Sequence, residues 1–145
     1  MTRLASTPFI SVIVRTYQQR DLLGTCLRSL FEQEYPRERM EIIVVDDGST
    51  DGTQEQVFSL SSPVVLRYIR LHRVGRAKAA NEGARAASGD VLLFLNGDTW
   101  ADRRLVSCHA RHYTGDHPVA VMGPLRTPAE ALTANQFMRT RFLYS

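Results

Sequence analysis

The chain has little of what marks a secreted, membrane-spanning or nucleic-acid-binding protein. It carries two cysteines in 145 residues. Cys26 and Cys108 lie far apart, each in a stretch with helical spacing, so neither a disulfide scaffold nor a thiolate metal site is indicated. Two buried thiols in a reducing cytosol is the favoured reading. No stretch approaches the roughly 20 apolar residues that span a bilayer. The first eight residues lack the apolar core of a secretory signal, so a soluble, cytoplasmic chain with a flexible start over residues 1–8 is expected. The net charge is a mild +3, without the interleaved basic and aromatic residues of a nucleic-acid surface, and nucleic acid is excluded as a partner. Arg67, Arg70, Arg73, Arg76 and Lys78 form the one notable basic run; it could face phosphates, but a solvated edge is the commoner meaning, so the run alone favours no ligand. Internal repeats, low-complexity tracts and linkers are missing as well.

What is present is ordinary in bulk and specific in detail. Hydrophobic residues make up 43% and charged residues 23%, values typical of a globular domain. A chain of this length buries about 70% of its unfolded surface. Two short apolar runs, Ile42-Ile43-Val44-Val45 and Val91-Leu92-Leu93-Phe94-Leu95, read as buried parallel strands. Each is followed directly by a polar cluster, Asp46-Asp47-Gly48-Ser49 in one case and Asn96-Gly97-Asp98 in the other. Open α/β sheets bind ligands at the carboxyl ends of their strands, where gathered acidic side chains can hold a divalent cation and the polar parts of a nucleotide.

The rest of the chain alternates strand and helix. Strands are expected over Phe9 to Val14, Glu41 to Val45, Val64 to Ile69, Val91 to Leu95 and Val119 to Met122. Helices are expected over Asp21 to Glu34, Gln54 to Leu60, Arg76 to Ala87 and Arg103 to Tyr113. The first carries Leu22, Leu23, Cys26, Leu27, Leu30 and Phe31 at helical spacing; the third is alanine-rich and should pack closely. This alternation implies a three-layer α/β/α domain around a mainly parallel sheet. A last helix is expected from Pro128 through Leu132 to Met138. The closing Phe142-Leu143-Tyr144 reads as material that packs on something further along, so the domain is expected to be incomplete at its C-terminus; a terminal helix docking on the domain would look the same.

Each strand tip admits a bland and a chemical reading. Thr16 offers a hydroxyl and Tyr17 a face for a nucleobase, or Tyr17 simply covers the sheet edge. Asp46 and Asp47 cannot both enter an apolar core, so one should bond to backbone amides and the other to a ligand. Asp98 either holds Mg²⁺ or Mn²⁺ with help from phosphates, or caps the helix after Thr99-Trp100-Ala101-Asp102; Gly97 lets the backbone approach a ligand. Arg76 and Lys78 sit at a helix start, where an anion is attracted. His109 and His112 read as surface histidines.

In order, these segments resemble the N-terminal, donor-binding half of a family 2 glycosyltransferase with the nucleotide-diphospho-sugar transferase (GT-A) fold. The resemblance is carried by Ser11-Val12-Ile13-Val14-Arg15-Thr16-Tyr17, by Leu27 to Gln33 with Tyr35-Pro36, and by the long run from Glu41 to Thr53. It continues in Gly75 through Gly83 and in Gly89 to Asp98. It implies that Thr16 and Tyr17 flank the donor's base and ribose, that Asp47 bonds the base, and that Asp46 supports the loop. Arg76, Lys78 and Asn81 would line the nucleotide and diphosphate side. Asn96-Gly97-Asp98 stands where the family has an Asp-x-Asp motif, so Asp98 would hold Mg²⁺ or Mn²⁺ at the donor diphosphate. Asn96 keeps a carbonyl oxygen but removes a charge.

The implied activity is transfer of a sugar, with inversion, from a UDP- or GDP-sugar to an acceptor hydroxyl. The acceptor is a glycan, a lipid or a protein; a lipid acceptor would bring the chain to the cytoplasmic membrane face. The family's acceptor half, which carries the catalytic base, has no counterpart before Ser145, and the base stays unassigned; Asp116 is the nearest carboxylate. Residues 1–145 are thus expected to form one donor-binding domain, with 125–145 beginning the acceptor side. Two alternatives stand beside it. One is a nucleotide-sugar-binding half-domain, inactive without a partner or a C-terminal half. The other, ranked lower, is a sugar-phosphate nucleotidyltransferase, whose first strand should lead into a Gly-rich loop that Arg15 to Asp21 does not supply.

Overall fold

The computed structural model describes residues 7–113, 119–126 and 141–143. Four strands, β1 (Ile10–Thr16), β2 (Met40–Asp46), β3 (Val65–Arg70) and β4 (Val91–Asn96), form one parallel sheet in the order β3-β2-β1-β4. Helices α1 (Arg20–Phe31), α2 (Thr53–Ser59) and α3 (Arg76–Ala86) connect them, with a short 3₁₀ turn at Arg37–Arg39 before β2. The chain thus runs outward from β1 to β3 and then returns to the far side of β1. That reversal between β1 and β4 opens a crevice at the strands' carboxyl ends, the place where such sheets bind ligands.

The two sheet faces have different coverings. Ile10, Val12 and Val14 of β1 lie in register with Met40, Ile42 and Val44 of β2 and with Val91, Leu93 and Leu95 of β4. All are buried in one core with Leu23, Cys26, Leu27 and Leu30, the apolar stripe of α1. On the opposite face, Ile13, Ile43 and Val45 pack against Ala79 of α3. The alanine-rich helix sits close, as its composition implies: a Cβ added at Gly83 would lie 2.4 Å from the Ile13 Cγ2 and 3.0 Å from the Val45 Cγ2. β2 is buried at every position, whereas β4 alternates, leaving Leu92 and Phe94 exposed beyond α3.

At the amino ends of the strands a polar cluster ties α3 to the sheet. Buried Glu41 accepts hydrogen bonds from the Ser11 hydroxyl (2.6 Å), the Ser88 amide (2.8 Å) and Arg67 (3.3 Å). Arg67 also donates to the Ala86 carbonyl at 2.6 Å. Burial alone would raise the Glu41 pKa; the hydrogen bonds and the Arg67 charge outweigh it and hold the carboxyl below its ordinary value.

The expected elements up to β4 are present with small shifts at their ends, and three expectations need correction. No strand forms over 119–122, where Val119 and Met122 are too exposed to be held by burial. Instead, Thr99–Ala101 is a strand, β5, paired parallel to β7 (Arg141–Leu143), which is antiparallel to β6 (Leu125–Arg126). These partners are distant in sequence, so no local pattern announces them. The helix after β5, α4, spans Leu105–Ala110, shorter than expected, because Asp102 organises its start: its carbonyl accepts from Leu105 and its carboxylate from Arg104. Asp98 therefore caps no helix. His109 is buried, not a surface residue, and burial, then the nearby His112, lowers its pKa. Both cysteines are free and buried, as expected. The helix expected over 128–138 and Asp116 lie outside the described residues. No helix among the described residues is long and apolar enough to cross a membrane.

Two stability measurements check this packing. Gly83→Val should destabilise the chain by about 1–3 kcal/mol in urea unfolding, although replacing a helical glycine ordinarily helps. Because the Glu41 pKa is depressed in the folded state, its contribution is complete above the ordinary glutamate value of 4.5 and is lost as pH falls through the lower folded value. Glu41→Gln should therefore be less stable at neutral pH and show a flatter loss of stability between about pH 5 and pH 3.

Candidate functional site

The crevice between β1 and β4 is a cleft of about 350 Å³. Its walls come from the tip of β1 (Arg15, Thr16, Tyr17), from Asp47 after β2, from Arg73 and Arg76 at the approach to α3, and from Asn96 and Asp98 after β4.

The two adjacent aspartates divide their tasks. Asp46 is wholly buried. Its Oδ1 accepts from the Ser49 amide (2.9 Å) and hydroxyl (2.6 Å), and its Oδ2 accepts a short hydrogen bond from the Tyr68 hydroxyl. The Tyr68 pKa is raised, first by burial and then by that donation. The turn this builds needs Gly48 at φ +92°, where an added Cβ would also sit 3.1 Å from the Leu71 carbonyl. Ser49 Oγ then accepts from the Gln18 amide at 2.8 Å, locking the β2 loop to the end of β1. Asp47 faces the cleft, and its two oxygens accept from the amides of Val74 (2.7 Å) and Gly75 (3.0 Å), fixing the segment that starts α3.

The basic run splits along the same boundary. Arg67 belongs to the Glu41 cluster, and Arg70 donates to the Ser49 carbonyl (2.8 Å) and to Gln54 (3.0 Å). Arg73 and Arg76 line the cleft, with the Arg73 guanidinium 4.0 Å above the centre of the Tyr17 ring. Arg73 and Gln18 are also the described non-glycine residues with positive φ, and both lie beside the cleft. Such backbone persists where the surroundings over-determine it, often at ligand sites.

Unpartnered polar atoms mark the floor. Among the described residues, the buried side-chain nitrogens and oxygens without a hydrogen-bond partner are Arg15 Nε, Thr16 Oγ1, Gln56 Oε1 and Asp98 Oδ1. All but Gln56 line the cleft. A buried polar atom left unpaired is costly, so its concentration at one place points to a ligand. Gly97 brings the backbone against Thr16, with a hypothetical Cβ 3.1 Å from its Oγ1. Below, the Cys26 thiol is pushed up to about 12 by burial and then by the Asp98 charge, so it is inert at neutral pH. For a hard cation this floor offers one unpaired carboxylate oxygen, on Asp98; no group of three His, Cys, Asp or Glu gathers here or elsewhere among the described residues, so the protein alone would supply few ligands. Phosphate oxygens and water would complete such a coordination shell.

Of the residues singled out in the sequence, Thr16, Tyr17, Asp47, Arg76, Asn96 and Asp98 therefore meet in one cleft. Asp46 and Gly97 are buried and adjoin lining residues in the chain, while Lys78 and Asn81 stand exposed on α3, outside the lining. Arg15 is a lining residue to which sequence reasoning gives no role, and Arg73 figures there only as part of the basic run. The signal for Arg15 was its place at the end of an apolar strand.

The comparisons with known proteins agree with this geometry. The chain matches Glycosyl transferase family 2 over residues 11–141. Glycosyltransferase AglE of Haloferax volcanii is 36% identical over 96 residues, which cover 65% of this chain and 32% of that protein. Among solved structures, the mannosyltransferase PcManGT from Pyrobaculum calidifontis, in complex with GDP-Man and Mn²⁺, is 33% identical with a TM-score of 0.67, covering 71% of this chain and 32% of that one. The 1-349 fragment of S. aureus TarS, in complex with UDP-GlcNAc, is 30% identical with a TM-score of 0.66, covering 70% of this chain and 30% of that fragment. The chain thus spans about a third of the length of AglE and of the mannosyltransferase, and 17% of full-length TarS. With its parallel sheet of order β3-β2-β1-β4 and its cleft at the strand tips, it has the GT-A fold and belongs to glycosyl transferase family 2.

Proposed function

We propose that residues 1–145 form the donor-binding domain of an inverting glycosyltransferase that uses a divalent cation, Mg²⁺ or Mn²⁺, at the diphosphate of a UDP- or GDP-sugar. The observation that carries this reading is the convergence of Arg15 Nε, Thr16 Oγ1 and Asp98 Oδ1, buried and unpaired, on one cleft at the sheet's switch point. Hydrogen-bond donors and a carboxylate oxygen side by side suit a phosphate-bound cation better than either phosphate or cation alone. Relatives of similar fold hold GDP-Man with Mn²⁺ and UDP-GlcNAc.

Each residue then has a task. The Tyr17 ring, with Arg73 stacked on it, walls the base and ribose with Thr16, and Asp47 meets the base from the opposite side. Asp46 holds the loop that presents Asp47. Arg76, Asn96 and Gly97 serve the diphosphate side, whereas Lys78 and Asn81, exposed on α3 outside the lining, are given no contact with the donor. The cation, when bound to Asp98 and the donor phosphates, supplies Lewis-acid neutralisation of the charge that gathers on the leaving nucleoside diphosphate. In the transfer, the bond from the sugar's anomeric carbon to phosphate oxygen breaks as the bond to the acceptor oxygen forms, and the acceptor proton passes to a carboxylate base.

Among the described residues, no carboxylate of the lining is left for that base. Asp47 is engaged with two backbone amides, and Asp98 is assigned to the cation. This favours a second reading, in which the chain binds donor but needs additional protein for transfer. The acceptor in this reading is a glycan, a lipid or a protein, and the site of action is the cytoplasm.

Calorimetric titration with UDP and GDP tests the site. One of the two should bind, Mn²⁺ should tighten binding about tenfold or more, equivalent to about 1.4 kcal/mol, and Asp98→Ala should abolish that gain. A folded chain that binds neither nucleotide would sink the proposal.

A further inference from the structure

Asn96 stands at the first position of the acidic motif, and its side chain is already committed. Arg15 and Asn96 are direct partners across the parallel β1–β4 ladder, so their side chains leave the sheet side by side. The Arg15 Nη2 donates to Asn96 Oδ1 at 2.7 Å. A carbonyl oxygen bound to a guanidinium is a poor ligand for a divalent cation, because the cation would be brought up against a fixed positive charge. The oxygen that could have stood in for the missing aspartate is thus turned to Arg15.

The consequences for Arg15 differ between an amide and a carboxylate at position 96. An aspartate there would form an ion pair and consume the guanidinium's charge. Asparagine supplies the same orienting oxygen and leaves the full charge facing the cleft. Arg15 is held beside Arg76, and both burial and then the Arg76 charge press against its protonated state. Two arginines gathered with Arg73 in one cleft, one of them with a buried and unpaired Nε, form a cationic wall that lacks its anion. The planar fork of a guanidinium matches the oxygens of a phosphate in a way an ammonium does not.

We propose that Arg15 binds the donor diphosphate directly, and that Asn96 is its positioning residue and not a ligand of the cation. Part of the charge neutralisation that a second motif aspartate would delegate to metal is carried here by arginine. The inference deepens the donor-site reading and rests on it. Its ligand is a diphosphate group attached to a nucleoside, so it distinguishes nucleoside diphosphates from monophosphates and leaves base recognition unaffected.

The test is a set of titrations in EDTA, using UDP against UMP and GDP against GMP, followed by the same titrations with Mn²⁺. The wild-type chain should prefer the diphosphate of its nucleotide by tenfold or more without metal. Arg15→Met should bring that preference to within about twofold while the monophosphate binds as before. Arg15→Lys, which keeps the charge and loses the fork, should fall between. Asn96→Asp should weaken metal-free diphosphate binding by about the same factor as Arg15→Met, and should make binding depend more steeply on Mn²⁺. Circular dichroism and melting of each variant identify any that fail to fold, and Asn96→Asp decides the matter if Arg15→Met does not fold. An unchanged diphosphate preference in folded Arg15→Met, or wild-type binding that requires Mn²⁺ outright, overturns this inference and leaves the donor site standing. Absence of nucleotide binding by the wild type under every condition overturns both.

Discussion

A buried carboxyl group needs hydrogen-bond partners on both oxygens, and Asp46 has them at the end of β2. Its partners are not incidental. Ser49 closes the loop back onto Asp46 and in the same step receives the Gln18 amide, which fixes how β1 ends. Tyr68, donating from β3, sets the third strand against the same group. With the loop held, Asp47 projects toward the cleft and anchors the amides that lead into α3. The position of the arginine-bearing segment therefore depends on a wholly buried aspartate whose described partners all belong to the chain itself.

The cleft itself is unbalanced. Arg15, Arg73 and Arg76 face Asp47 and Asp98, and Asp47 is occupied by backbone. Like charges brought together in a partly buried space cost free energy unless an anion is expected there. Strained residues at Gln18 and Arg73 lie on the same rim. By contrast, the Glu41 cluster at the opposite end of the sheet is fully satisfied and purely structural. Among the described residues, three of the four buried side-chain polar atoms without a partner gather at the carboxyl ends of the strands, which marks that end as the candidate site.

Much of this was legible in the sequence because the signals are local. Ile42 to Val45 and Val91 to Leu95 are short β-branched or bulky runs bounded by turn residues, and the α1 stripe repeats at helical spacing. Asp46, Asp47 and Asp98 stood out because carboxylates directly after buried strands need partners. What was not legible depends on contacts distant in sequence. β5 exists by pairing with β7, and the burial of His109 follows from where α4 packs. The basic run looked like one solvated edge in the chain, yet strand alternation and the turn before α3 send Arg67 and Arg70 to structural partners and Arg73 and Arg76 to the cleft. Arg15 could be placed at a strand tip, but its link to Asn96 needs the strand order, which brings β4 beside β1.

The most direct measurement is a crystal structure of the chain grown with UDP or GDP and Mn²⁺. The account requires the base against Tyr17, the diphosphate between the Arg15–Arg76 wall and the β4 tip, and the cation on Asp98 with Asn96 still bonded to Arg15. A nucleotide bound elsewhere, with Thr16 Oγ1 and Asp98 Oδ1 still unpaired, would contradict it.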